Sequence, residues 1–250
     1  MAHSILVFGG SGKVARNLTR ILAADGHTVH SVIRNADQKS DIESLGGKPI
    51  IQSIEESSVN DMAKTITEIN ATAVVWSAGA GGGNPARTVA VDQEGAIRSM
   101  DATAQAGVKR YIMVSAIDIR DREGKPEPEW YNDDDRARSD RMWSAIGAYA
   151  KAKFTADRNL VTENSRRGLE YTIVRPGSLS TEASTGKIAA GKVHISPTIP
   201  REDVAKVIAE CLKNDGTKGL AFDCVGGETP IADAVAEVAK ARVDVFAGRY

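Results

Sequence analysis

Cysteine is nearly absent from this chain. Only Cys211 and Cys224 occur, both in apolar-rich stretches of the C-terminal third. A disulfide framework is thereby excluded, and two buried free thiols are expected. Net charge is nearly absent too: 32 Lys and Arg against 33 Asp and Glu leave −1, so no strong field recruits nucleic acid or an anionic membrane. The one dense charge cluster, residues 133–141, mixes both signs and reads as a solvated segment. No run approaches the roughly 18 apolar residues of a membrane span. Met1-Ala2-His3-Ser4 enters an apolar run with no basic region ahead of it, so it does not read as a signal peptide. These absences point to a cytoplasmic protein. The four histidines, His3, His27, His30 and His194, match no zinc spacing, so no metal site is expected. The expected partner is a small-molecule substrate, and nothing in the sequence sets an oligomeric state.

What is present is a rhythm of short apolar runs and helical patterns over 250 residues, a length that one α/β domain can fill. Strands are predicted at 4–8, 28–33, 48–51, 73–76, 110–115, 169–174 and 220–225 from apolar and β-branched runs. Helices are predicted at 12–25, 58–68 (with Ser57 or Ser58 as N-cap), 87–106, 144–166, 201–214 and 231–243. Gly147 weakens the first turn of the fourth helix and Gly168 ends it. Residues 118–141 and 175–200 read as irregular. Such alternation implies a Rossmann-type, doubly wound parallel sheet with helices on both faces, formed by a single domain over 1–250. In such sheets ligands sit at the carboxyl ends of the strands, near the switch point.

The strongest motif is Gly9-Gly10-Ser11-Gly12-Lys13-Val14-Ala15, between the first strand and the first helix. Glycines there permit a tight turn and let backbone approach a pyrophosphate. The small Ala15 allows close helix–strand packing, and the helix N-terminus faces the phosphates. The N–H groups of Ser11, Gly12, Lys13 and Val14 are the expected cradle. Arg34 ends the second strand, where an NAD enzyme places an acid. Residues 28–35 contain no acid, and a guanidinium can grip a 2′-phosphate in a bidentate way. NADP is therefore the expected cofactor, with Asp37 close enough to leave NAD open. Small residues Ser77, Ala78 and Gly79, followed by Ala80 to Gly83, leave room for the nicotinamide side; the glycines 81–83 read equally well as a flexible loop.

Tyr149 and Lys153 are four apart and share one helix face. A nearby ammonium favours the phenolate, so Lys153 is expected to lower the pKa of Tyr149 and let it serve as acid or base. Ser115, at the end of the fifth strand, is placed to offer a hydroxyl to a carbonyl oxygen. The alternatives are a packing Tyr149 with a surface Lys153, and a Ser115 that caps local backbone.

Taken in order, these motifs resemble the short-chain dehydrogenase/reductase superfamily, most closely its atypical NAD(P)H-binding branch with the NmrA-like and biliverdin IX beta reductase-like proteins. The resemblance also rests on Val114-Ser115-Ala116, Thr172-Ile173-Val174-Arg175-Pro176-Gly177-Ser178, Arg201-Glu202-Asp203-Val204-Ala205 and Phe222-Asp223-Cys224-Val225-Gly226-Gly227. It implies that Gly9, Gly12, Arg34, Gly79, Ser115, Tyr149, Lys153 and Pro176 border the cofactor or the reaction centre. Two departures stand out: Ala15 replaces the third glycine, and Ala116 stands where extended members place their active hydroxyl. The implied activity is an NADP-dependent oxidoreductase that transfers hydride to or from a small carbonyl or conjugated substrate. Residues 118–141, with Trp130 and Tyr131, and residues 179–200 are expected to cover that substrate. An NAD(P)-dependent epimerase or dehydratase is the second reading, and an NAD(P)H-sensing protein without turnover is the third.

Overall fold

The computed structural model describes residues 2–81 and 84–250. Gly82 and Gly83, from the small-residue loop expected at 77–83, lie outside the described residues.

The chain begins β1 (Ser4–Phe8), α1 (Lys13–Ala24), β2 (Thr28–Ile33), α2 (Lys39–Ser44), β3 (Lys48–Ile51), α3 (Val59–Glu68) and β4 (Ala73–Trp76). A helical stretch follows as α4 (Pro85–Thr88), a π-helical segment (Val89–Gly95) and α5 (Ala96–Gln105), and leads into β5 (Arg110–Val114). The second half holds α6 (Asp133–Thr162), α7 (Asn164–Arg167), β6 (Glu170–Pro176), β7 (Leu179–Ser180), β8 (Lys187–Gly191) and β9 (Ile199–Pro200). It closes with α8 (Arg201–Lys213), β10 (Leu220–Gly226), β11 (Thr229–Pro230) and α9 (Ile231–Ala241).

Nine strands form one sheet in the order β11-β8-β10-β6-β5-β4-β1-β2-β3. The run from β10 to β3 is parallel throughout, and β8 and β11 add an antiparallel edge. The expected doubly wound sheet is therefore the observed one. Strand alternation sorts the core. Ile5, Val7 and Val75 face α1, α8 and α9 on one side, while Leu6, Phe8, Val74 and Trp76 face α3, α5 and α6 on the other. Each fully buried large apolar side chain contributes about 1.5–3 kcal/mol. The winding reverses between β1 and β4, which are neighbours in register from Ile5↔Ala73 to Phe8↔Trp76. The chain leaves β1 toward α1 on one face and β4 toward α5 on the other, the position at which such sheets bind ligands.

Three elements differ from expectation. The helix expected at 144–166 starts at Asp133, with Asn132 capping it and Asp133, Asp134 and Asp135 in its first turn. Carboxylates there complement the helix dipole, but dense charge on every face hid the apolar period. The helix kinks at Ile146 (φ −131°, ψ 30°), next to the Gly147 that was expected to weaken it. The stretch 175–200, expected to be irregular, contains β7, β8 and β9. The β8 sequence Lys-Ile-Ala-Ala-Gly has too few β-branched residues to read as a strand, and its pairing with β10 decides it. The helix expected at 87–106 starts at Pro85, with the Asn84 side chain accepting from Arg87 N–H, and its early turns are π-helical.

Candidate active site

The loop after β1 is built tightly. Gly9 has φ +80°, and a Cβ there would lie 2.5 Å from the Ala78 Cα. A Cβ on Gly10 would lie 2.6 Å from the Ser31 Cβ. These two glycines thus let the loop after β1 pack against strand β2 and the loop after β4, rather than a ligand approach the backbone. Gly12 is different: its φ of −66° is ordinary, and its nearest obstacle to a Cβ is the Gly9 carbonyl at 3.1 Å. The Gly12 N–H donates to Gly9 O at 2.9 Å, so it is not part of the expected cradle. The first-turn N–H groups of Lys13 and Val14 have no intrahelical acceptor, no side chain caps the helix, and both residues open on a cavity.

Two cavities flank this loop and share Gly12, Ser77, Ala78 and Gly79 as a common wall. The smaller, about 200 Å³, is bordered by Arg34, Gln38, Gln52, Glu55 and Arg87. Glu55 Oε1 lies 3.7 Å from Arg34 Nη1 and 3.0 Å from Arg87 Nε, and Arg87 also donates to the Ala80 carbonyl. Two guanidinium groups thus face one carboxylate. Asp37 is exposed and stands outside this wall. The acid beside Arg34 comes instead from the loop after β3.

The larger cavity, about 420 Å³, is bordered by Lys13, Val14, Ser115, Tyr149, Lys153 and Pro176, with Leu179 and Arg201 at its rim. Helix α6 carries Tyr149 and Lys153 on one face, with Lys153 Nζ 5.8 Å from the centre of the phenol ring. Lys153 is buried, donates to Val114 O at 3.2 Å and lies 3.4 Å from Asp92 Oδ1. Burial alone would lower Lys153. The Tyr149 phenol, Asp92 and Asp157 outweigh it and hold the ammonium above its usual range. Tyr149 departs from the expected direction. Burial raises its phenol above the ordinary value, and the Lys153 charge opposes that shift without reversing it. Burial is the main cause, and Asp92 adds to it, since it pairs with Lys153 and itself pushes the phenol up. Ser115 donates to Asp157 Oδ2 at 2.5 Å.

The structure therefore gathers Gly9, Ser11, Gly12, Arg34, Ser77, Ala78 and Gly79 around the first cavity. It gathers Lys13, Val14, Ser115, Tyr149, Lys153 and Pro176 around the second. Gly10 alone among the expected residues lies beneath the loop, against Ser31. Trp130 and Tyr131 border neither cavity. Trp130 donates to Val193 O at 3.1 Å, with Arg249 and Lys192 over its ring, and Tyr131 is buried. Asp135 accepts from Ile195 N–H at 2.8 Å and lies 2.6 Å from His194 Nδ1. The segments 118–141 and 179–200 are thus tied to each other, and from the second of them Leu179 reaches the cavity. Asp135 also corrects the reading of 133–141 as wholly solvated, since it is buried.

Sequence reasoning missed Asp92, Glu55, Arg87 and Asp157. Only Asp157 carried a local signal, one helical turn beyond Lys153. The others meet their partners through the sheet topology. Among the described residues no group of His, Cys, Asp or Glu could hold a metal ion, and no helix is long and apolar enough to cross a membrane.

A groove with free helix N–H groups at its middle, arginines at one end and a Tyr–Lys pair at the other fits an extended dinucleotide. Fold and groove together define a nucleotide-binding protein of the Rossmann class. Residues 9–215 match the family model described as NAD(P)H-binding, and the chain belongs to that family. It is similar to a UPF0659 protein of Schizosaccharomyces pombe, 40% identical over 232 residues that cover 92% of this chain and 93% of that one. It is also similar to the uncharacterized sugar epimerase YhfK of Bacillus subtilis, 32% identical over 92% of this chain and 98% of that one. The solved oxidoreductase ylbE of Lactococcus lactis superposes with a TM-score of 0.77 at 26% identity, covering 95% of this chain and 97% of that one.

Proposed function

We propose that this protein is an NADP-dependent oxidoreductase acting on a small carbonyl or conjugated substrate. The observation that carries this reading is the shared cavity wall: Tyr149, Lys153 and Ser115 border the same space as Lys13 and Val14 of the glycine loop. Bound NAD(P)H would supply hydride. Reduction of a carbonyl builds charge on its oxygen, and Tyr149 is the residue that delivers a proton there. With its phenol raised above the ordinary value, Tyr149 holds its proton through neutral pH as a weaker acid than a free phenol, and gives it up only to the charge that builds on the carbonyl oxygen. Lys153, fixed by Val114 O and Asp92, would orient the nicotinamide ribose, and Ser115 would meet the substrate oxygen. The Lys13 and Val14 N–H groups would hold the pyrophosphate. NADP is favoured because Arg34 and Arg87 outnumber Glu55 at the far end of the groove.

NADPH oxidation by the purified protein against a panel of aldehydes, ketones, quinones and enones tests the reading. Turnover that requires the Tyr149 hydroxyl supports it, and no turnover with any of them opposes it. The name of the Bacillus subtilis relative favours a second reading as an epimerase. Mass spectrometry of the purified protein separates the two: tightly retained cofactor fits an enzyme that reduces and reoxidises it within one cycle, and free exchange fits a reductase.

A further inference from the structure

Asp157 lies beneath the reaction end of the groove and is wholly buried. It extends the series Tyr149, Lys153 by one more turn of α6, so the three side chains share a face. Its Oδ2 accepts the Ser115 hydroxyl at 2.5 Å, while its Oδ1 is buried without a hydrogen-bond partner. Arg175 Nη1, on β6, is 3.9 Å from Oδ2 but spends its stronger contact on Asp223, 2.7 Å from Arg175 Nε. Among the described residues the Asp157 side chain thus has Ser115 as its hydrogen-bond partner, with Arg175 at the limit of ion-pair range.

A serine hydroxyl has one proton and two lone pairs. When Asp157 is ionised it can only accept, so Ser115 gives it that one proton and shows the cavity lone pairs alone. When Asp157 is protonated it can donate to Ser115 Oγ, and the serine proton is free to turn toward the cavity. We propose that Asp157 is a positioning residue that sets whether Ser115 donates to, or accepts from, the substrate oxygen. This rests on the reading that Ser115 meets that oxygen. A carbonyl being reduced needs a donor, and an alcohol being oxidised needs an acceptor, so the protonated carboxyl serves reduction and the ionised one serves oxidation.

The surroundings place the change within a working pH range. Burial pushes the Asp157 carboxyl up to about 6. Arg175, the Ser115 hydroxyl and Lys153 act against burial, and Asp223 on β10 acts with it. The phenols of Tyr111 on β5 and Tyr149 on α6 also face it.

Two measurements test the proposal. The first follows the Asp157 carboxyl carbon by NMR through a pH titration of the full chain, with no substrate. Ser115→Ala should move its midpoint upward, because the charged form loses its donor. An unmoved midpoint overturns the proposal whether or not any substrate is ever turned over. The second measures kcat against pH with a carbonyl substrate from the panel. Wild-type reduction should fall about fivefold as pH rises through the carboxyl midpoint, the worth of one neutral hydrogen bond. Asp157→Asn should remove that step, Ser115→Ala should remove it too, and the double variant should match Ser115→Ala alone. A step that survives in Asp157→Asn overturns the proposal while leaving the oxidoreductase reading intact.

Discussion

Lys153 Nζ sits 3.4 Å from Asp92 Oδ1, with the two side chains 3% and 0% exposed. The lysine beside Tyr149 is therefore half of a buried ion pair, anchored by a residue 61 positions earlier in the chain. The π-helical segment that carries Asp92 also fixes the loop after β4, since Asp92 Oδ2 accepts from Ala80 N–H at 2.9 Å. Removing one partner of a buried pair leaves the other charge uncompensated, at a cost of about 3–5 kcal/mol. Asp92→Asn should lower stability by that order in urea denaturation. An unchanged midpoint would show that the pair carries no such weight.

The glycines of the first loop should separate by phenotype. Gly10→Ala forces a Cβ to within 2.6 Å of the Ser31 Cβ, an overpacking that costs about 1–3 kcal/mol. It should reduce thermal stability. Gly12→Val needs no unusual φ, since the glycine has −66°, and its Cβ presses only lightly on the Gly9 carbonyl at 3.1 Å. Its branched side chain would instead occupy the space over the N–H groups of Lys13 and Val14. That variant should stay folded and lose dinucleotide binding by calorimetry. Wild-type affinity in Gly12→Val would move the pyrophosphate elsewhere.

Arg34 and Arg87 should read the 2′-phosphate together, with Glu55 as the counter-ion it displaces. A charge-assisted contact is worth about 1.5–3 kcal/mol. Arg34→Ala should thus weaken NADP by one to two orders of magnitude and barely change NAD, and Glu55→Gln should tighten NADP. Equal losses for both cofactors in Arg34→Ala, measured by calorimetry, would show that Arg34 does not read the phosphate.

Much of this was legible in the sequence, and what was not has a common cause. The β1–glycine–α1 unit, the parallel sheet and the Tyr149–Lys153 pair follow from local spacing. Residues whose role depends on the sheet's order do not. Glu55 meets Arg34 and Arg87 only because the loops after β2, β3 and β4 converge. Asp92 is turned onto Lys153 by a π-helical segment that no periodicity announces. The direction of the Tyr149 shift was misread because a lysine four residues away is visible in sequence, whereas its neutralising partner and the burial around the phenol are not. Strand β8 was missed because its small residues acquire strand character only beside β10.

Asp157 should also shape the pH dependence of stability. Its carboxyl is pushed by burial up to about 6, against roughly 4 in an unfolded chain. Between those values the folded chain holds a proton that the unfolded chain has released, so this group's contribution is greatest below about pH 4. It is lost as pH rises through about 6. In urea denaturation the stability of wild type relative to Asp157→Asn should therefore fall by roughly 1–3 kcal/mol between pH 4 and pH 7. A difference that stays constant across that range would contradict the assignment.

The central claim is that the Tyr149 hydroxyl delivers the proton at a carbonyl reduced by NADPH. Tyr149→Phe keeps the ring, its packing and its place over Lys153, and deletes only that hydroxyl. The most direct test is kcat of Tyr149→Phe beside its calorimetric affinity for NADPH, with a carbonyl compound that the wild-type protein reduces. The account predicts unchanged cofactor affinity and a kcat lower by roughly 10²–10⁴, the usual contribution of a general acid. Wild-type turnover in Tyr149→Phe would contradict it and leave Tyr149 as a packing residue.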